Sequence, residues 1–313
     1  MTGANGFVGA RVVGSLVQQG HQVVACVRSE SRASYFSSAA RVAVGDICSS
    51  TSWEGALEGV STIIHSAAIT SVADGSANSM AALKEVNVRG TLHLASRAAA
   101  MGVKRLVFLS SIKVNGEISP PGQPFRVEDA SRPEDGYAQS KAAAEGGLAE
   151  IAAKSGLEVV IVRPPLVYGP GVKGNFAALA SLVRLGLPLP LASATENRRS
   201  MIALDNLASV LNLCATHPAA AGRIFLVKDG DDLSTVELLS RIARGVGVPL
   251  RLFRVPPRVL RRGAALVGLE RVVGRLFDDL QCDDFSIRTL LGWRPVVAAD
   301  IAIPDACLRR AAV

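Results

Sequence analysis

Thr2-Gly3-Ala4-Asn5-Gly6-Phe7-Val8-Gly9 opens the chain, its glycines in a G-x-x-G-x-x-G spacing. Glycine permits a tight turn and lets backbone approach a pyrophosphate, whose charge suits a helix N-terminus. From Phe7 to Gln18 the apolar residues recur with a helical period, and Gln22–Val27 reads as a strand. A glycine triplet followed by a helix and a strand in that order predicts a dinucleotide-binding turn, with Gly3, Asn5, Gly6, Phe7, Val8 and Gly9 at the cofactor. Only Met1 and Thr2 precede Gly3, although such a turn is normally fed by a strand at the centre of the sheet. The first strand is therefore expected to be truncated. An upstream extension of about five apolar residues, a typical strand length, is expected to complete it.

Downstream, strands and helices alternate. Arg41–Gly45 reads as a strand, with Asp46-Ile47 where an adenine would rest, and Ser61–His65 as the next, leading into Ser66-Ala67-Ala68. Small residues at a strand's C-terminal end leave room for a cofactor, so Ala67 and Ala68 join the expected site; His65 reads as structural. Residues Asn78–Met101 have helical periodicity and contain Asn87, which if buried would hydrogen-bond neighbouring backbone. Leu106–Leu109 is a buried strand, Pro120–Asp135 a loop, Tyr137–Lys154 a helix, and Glu158–Val162 a strand ending in Arg163-Pro164-Pro165. This alternation predicts an α/β, Rossmann-like doubly wound parallel sheet over residues 1–165. Residues 166–313 are expected to form mainly a smaller C-terminal substrate lobe, with 200–230 returning to the sheet. Ser234 to Glu237 reads as a capping box, and Arg254–Leu276 as a basic, amphipathic surface helix pair.

Tyr137 and Lys141 stand four residues apart, on one face of their helix. A phenol is normally protonated at neutral pH, and an ammonium one turn away is expected to lower its pKa. The pair can give a proton to a carbonyl oxygen or take one from a hydroxyl. Ser111, just beyond the Leu106–Leu109 strand, is the candidate third group that holds that oxygen. At the end of the second strand stand Val27 and Arg28, where NAD-binding proteins often carry a carboxylate for the ribose. Arg28 there points to a 2′-phosphate, so NADP(H) is expected over NAD(H).

With 313 residues, 49% hydrophobic and 19% charged, the chain can bury a large core. No apolar run reaches the ~18–20 residues of a membrane span and no signal peptide is evident. The five cysteines show no metal-ligand spacing, which fits reduced thiols in the cytoplasm. A net charge of +7 fits either a basic surface or an anionic ligand such as a nucleotide diphosphate. Nucleic acid is not expected, because aromatics are 4% and no basic-aromatic cluster occurs.

Taken together, these residues resemble the extended short-chain dehydrogenase/reductase superfamily in its NAD-dependent epimerase/dehydratase branch. The resemblance rests on Gly3/Gly6/Gly9, Asp46-Ile47, His65 to Ala68, Asn87, Ser111, Tyr137/Lys141, Arg163-Pro164-Pro165, Arg199 and Leu291-Gly292-Trp293. It implies that Ser111 and Tyr137 contact the reacting sugar oxygen while Lys141 holds the nicotinamide ribose and tunes Tyr137. Asn87 and Pro164 would join the cofactor site; Lys113, Asn175, Arg199 and Arg275 would meet the substrate, a nucleotide-diphosphate sugar. The 4,6-dehydratases of the family place Asp-Glu after the hydroxyl residue; here Ile112 and Lys113 stand there, which argues against dehydration. Residues 110–117 and 163–171 are similar to bacterial UDP-4-ketosugar reductases, of UDP-N-acetylquinovosamine dehydrogenase type. The expectation is an NAD(P)-dependent reductase of a UDP-4-keto-6-deoxy-N-acetylhexosamine in surface-polysaccharide biosynthesis, in keeping with a homodimer. A UDP-hexose or UDP-N-acetylhexosamine 4-epimerase is the alternative, and a non-catalytic dinucleotide sensor a third.

Overall fold

The structure, a computed structural model, describes residues 1–29, 39–70, 77–266 and 268–308. After the glycine turn come α1 (Phe7–Gln18), β1 (Val24–Val27), β2 (Ala40–Ala43), α2 (Glu54–Leu57) and β3 (Thr62–His65). Next are α3 (Ala77–Leu83), a π-helical turn (Lys84–Gly90) and α4 (Thr91–Ala100), then β4 (Arg105–Leu109), a 3₁₀ turn (Ile112–Val114), α5 (Gly136–Ser155) and β5 (Glu158–Arg163). The periodicity of Asn78–Met101 thus spans one helical run interrupted by a π turn, and Asn87 lies in that turn. Such turns concentrate at functional sites.

Strand order is β3-β4-β5-β8, where β8 is Ile224–Leu226, and all pairs are parallel. β1 and β2 form a second parallel pair. Thr2 lies between the two groups, bridged in parallel to Cys26 on one side and His65 on the other. The Thr2 amide donates to the Ile64 carbonyl at 3.1 Å, and the Cys26 amide to the Met1 carbonyl at 2.8 Å. Met1 and Thr2 therefore hold the central slot that the glycine turn requires.

Side chains of β4 and β5 alternate between two faces of the sheet, and both faces are covered. Val107, Val160 and Val162 pack with Val12 and Val13 of α1 and with Leu207 and Leu211 of α7 (Leu204–Thr216). Leu106, Phe108 and Ile161 pack on the other face with Leu94 and Ala98 of α4 and Ala144 and Leu148 of α5. Doubly wound packing follows directly from this alternation.

Beyond β5 the chain forms β6 (Leu166–Tyr168), α6 (Asn175–Arg184) and β7 (Met201–Ala203), with β6 and β7 a separate parallel pair. α8 (Thr235–Val246) starts at a full Ser234/Glu237 capping box. α9 (Pro257–Leu266), α10 (Glu270–Phe277), α11 (Phe285–Leu290) and α12 (Ala299–Cys307) complete the chain. A separate core of Tyr168, Phe176, Val183, Leu239, Ile242 and Ile303 holds this part together. Among the described residues, no helix is long and apolar enough to cross a membrane.

Candidate active site

Gly3 adopts φ +65°, and a Cβ there would sit 2.8 Å from the Ala67 amide nitrogen. A Cβ on Gly9 would collide with the Gly3 carbonyl. The turn is thus closed against the loop after β3, and only glycine permits it. No side chain caps α1 at Gly6, and no acid occupies its first turn. An uncapped helix start with neutral surroundings favours an anion, so these residues fit a dinucleotide pyrophosphate.

Asn87 holds the other wall. Its carbonyl accepts from the Ile69 amide (2.8 Å), and its amide donates to the Ile69 carbonyl (2.9 Å) and to Ser140 Oγ (2.9 Å). It therefore ties Ile69, the residue after Ala67-Ala68, to α5. His65 is buried between Thr2 Oγ1 (2.6 Å) and Thr91 Oγ1 (2.9 Å). Burial, aided by the nearby Lys141, lowers its pKa to about 3, and it stays neutral as a structural residue. Just beyond β1 Arg28 pairs with Asp46 at 2.9 Å, both side chains well exposed.

Tyr137 sits in the first turn of α5, whose N-cap is Asp135; the Asp135 carboxylate accepts from the Ala138 amide at 2.7 Å. Lys141 is buried one turn on. Its ammonium donates to the Leu109 carbonyl at 2.8 Å and lies 4.4 Å from the Phe108 ring centroid, against 5.9 Å from that of Tyr137. The expected lowering of the tyrosine pKa is not found. Burial, with the Asp135 charge adding to it, raises Tyr137 to about 12. Burial also lowers Lys141 to about 7, with Glu145 opposing. Helical spacing brings the two residues to one face, but the Leu109 carbonyl intercepts the ammonium.

A pH signature follows. In the unfolded chain Lys141 keeps its proton to about pH 10.4, whereas in the fold it gives it up near 7. Between those values the unfolded state binds more protons, so stability from this group rises with pH. Tyr137 acts oppositely only above its ordinary pKa of about 10. Melting temperature is therefore expected to rise from about pH 7 to about pH 9 more steeply in the unaltered chain than in Lys141→Met. Parallel profiles would show that Lys141 stays charged in the fold.

Ser111 lies on the turn after β4, held where Ile112 donates its amide to the Pro164 carbonyl at 2.9 Å. Ser111 Oγ accepts from the Lys113 amide at 3.2 Å, which leaves its own proton free to donate. Lys113 itself is committed to two acids, Glu117 at 2.7 Å and Asp135 at 2.5 Å. Burial works against its charge, but these bonds outweigh it and hold the pKa above the usual lysine range. Arg199 donates to the Asp278 carbonyl at 3.0 Å, and Arg275 to Glu117 at 3.3 Å. Burial first, and then the like charge of Arg275, lower the Arg199 pKa, while Asp278, Asp279 and Glu117 oppose. Arg275 stands in the last turn of α10, just before the Asp278 carbonyl that Arg199 bonds. Asn175 stands exposed at the start of α6, and among the described residues no hydrogen bond joins it to this arginine pair.

Sequence reasoning missed the acids that organise the site: Glu117, Asp135 and Glu145. Glu145 lies four residues after Lys141 on α5 and takes a bidentate bond from Arg163, at 3.0 and 2.5 Å. It also accepts from Ser110, the neighbour of Ser111. The Tyr137, Lys141, Glu145 repeat every four residues was the available signal.

Residues 1–227 match the model of the NAD dependent epimerase/dehydratase family. The UDP-glucose 4-epimerase of Vibrio cholerae is 42% identical over 297 residues, 94% of this chain and 90% of that protein. Two solved structures are similar in fold. The UDP-glucose 4-epimerase of Thermus thermophilus in complex with NAD superposes with a TM-score of 0.75 at 24% identity, over 98% of this chain and 96% of that one. The Bacillus cereus UDP-glucuronic acid 4-epimerase in complex with NAD gives 0.76 at 16% identity, over 97% and 95%.

Proposed function

The chain is an NAD-dependent enzyme belonging to the NAD dependent epimerase/dehydratase family, and from that premise we propose that it is a 4-epimerase of a UDP-hexose or UDP-N-acetylhexosamine. The observation that carries the proposal is the 42% identity to the Vibrio cholerae UDP-glucose 4-epimerase along 94% of the chain. Two residues of the 110–117 stretch, which is similar to the ketosugar reductases, have structural uses here. Asn115 is buried, accepting from Arg163 and donating to the Arg126 carbonyl, both at 3.0 Å. Lys113 is tied to Glu117 and Asp135. Neither residue therefore speaks against epimerisation.

In the proposed reaction, bound NAD supplies the hydride acceptor and donor. Tyr137 takes the proton of the C4 hydroxyl and later returns it. Ser111 donates a hydrogen bond to the same oxygen, and Arg199 with Arg275 holds the diphosphate. The base half of the cycle requires Lys141 to leave the Leu109 carbonyl for the tyrosine, because a phenol titrating near 12 is a poor base at neutral pH. That resting state keeps Tyr137 protonated, the form from which a reductase starts, and this is the specific observation behind a second reading, reduction of a 4-ketosugar.

One assay separates the two. Purified chain incubated with UDP-glucose or UDP-N-acetylglucosamine is expected to yield the 4-epimer with no net consumption of reduced cofactor. Consumption of NADPH on a UDP-4-ketosugar, with no interconversion, would establish the reductase instead. The dinucleotide released when the same preparation is denatured is expected to be NAD, since a 2′-phosphate must first displace Asp46 from Arg28. NADP in its place would return Arg28 to the phosphate-binding role its position suggests.

A further inference from the structure

Glu117 uses its two carboxylate oxygens on two different cations. Oε1 accepts from Lys113 Nζ at 2.7 Å, and Oε2 from Arg275 Nη2 at 3.3 Å, across 158 residues of sequence. The first contact joins Glu117 to the Ser111 turn; the second reaches into α10. Arg275 stands in the last turn of α10, and Arg199 donates to the Asp278 carbonyl at the end of that helix, so the two arginines meet the same helix end. Two like charges at one helix end favour an anion; Asp278 and Asp279 act on Arg199, and Glu117 is the acid bonded to Arg275. Charge-assisted bonds normally run at about 2.7–2.9 Å. The Lys113 bond meets that range, whereas the Arg275 bond is stretched and is the weaker, exchangeable one.

We propose that Glu117 is an internal counter-ion for the arginine pair, occupying the diphosphate end of the site until substrate arrives and thereby setting affinity for the diphosphate. This rests on the nucleotide-sugar reading above. A diphosphate carries more charge than one carboxylate and can engage both guanidinium groups through paired bonds. It therefore takes Arg275, while Glu117 stays on Lys113. A monophosphate displaces Glu117 less effectively and a neutral nucleoside does not displace it, so the exchange selects for the diphosphate.

The test is calorimetric binding of UDP, UMP and uridine to the unaltered chain and to Glu117→Gln. Removing the competing charge is expected to tighten UDP by about tenfold, the effect of one modest ionic interaction. UMP should tighten less, and uridine should bind both forms equally. Glu117→Asp keeps the charge on Lys113 but withdraws it from Arg275 by one methylene. It should shift UDP in the same direction by a smaller factor, and carries the test if the glutamine variant does not fold. UDP that binds the unaltered chain and both variants equally, or the variants more weakly, overturns the role of Glu117 and leaves the nucleotide-sugar reading intact. Failure of UDP to bind the unaltered chain at millimolar concentration overturns that reading itself.

Discussion

Tyr137→Phe is expected to lower turnover by about 10²–10⁴-fold, the usual contribution of a positioned general acid or base. The substitution removes one oxygen and keeps the ring, so the first turn of α5 and its Asp135 cap remain. Affinity for UDP should be nearly unchanged, because the proposed diphosphate contacts lie on Arg199 and Arg275. The loss therefore belongs in kcat, with little change in the dissociation constant. Ser111→Ala should lower kcat by a smaller factor, since it removes a hydrogen bond to the reacting oxygen but no proton transfer. Retention of more than a tenth of the activity by Tyr137→Phe would mean that another group moves the proton.

The parts of this molecule that were legible in its sequence are those encoded by short-range spacing. Gly3, Gly6 and Gly9 specify a turn closed against Ala67, and the apolar run at Leu106–Leu109 specifies a strand buried on both faces. Tyr137 and Lys141 lie one helical turn apart, so their shared face could be read directly. What they do to each other could not, because it depends on the Leu109 carbonyl, 32 residues from Lys141 in sequence. The same limit hid the partner of Arg275. Lys113 and Arg275 were both placed at the substrate from the resemblance; Lys113 meets Glu117 only four residues on, but that Arg275 meets the same acid depends on a contact spanning 158 residues. Asn87 shows the reverse case. That it would bond neighbouring backbone if buried was readable, but not that it would hold Ile69 in the loop after β3 while sitting in a π turn.

Arg163→Met is expected to destabilise the chain by about 3–5 kcal/mol, the cost of leaving one partner of a buried ion pair uncompensated. Arg163 and Glu145 are both less than a tenth exposed, with side-chain accessibilities of 8% and 7%. Arg163 also donates to Asn115 at 3.0 Å, and Glu145 accepts from Ser110. The cluster thus joins the ends of β4 and β5 to α5 directly beneath Ser111 and Lys141. Methionine matches the length of arginine but supplies no donor, so the Glu145 carboxylate would remain buried with only the Ser110 hydroxyl. Urea unfolding of Arg163→Met should show the loss in its midpoint. Adding Glu145→Leu removes the stranded charge, and the double variant is expected to be more stable than Arg163→Met alone. Asn115 still loses its partner, so recovery should stop short of the unaltered chain. A double variant no more stable than the single would locate the penalty in lost packing and in Asn115 rather than in charge. In that case the pair would be holding the Ser111 turn through shape, and the conservative Arg163→Lys, with one donor in place of a planar fork, would fare no better than methionine.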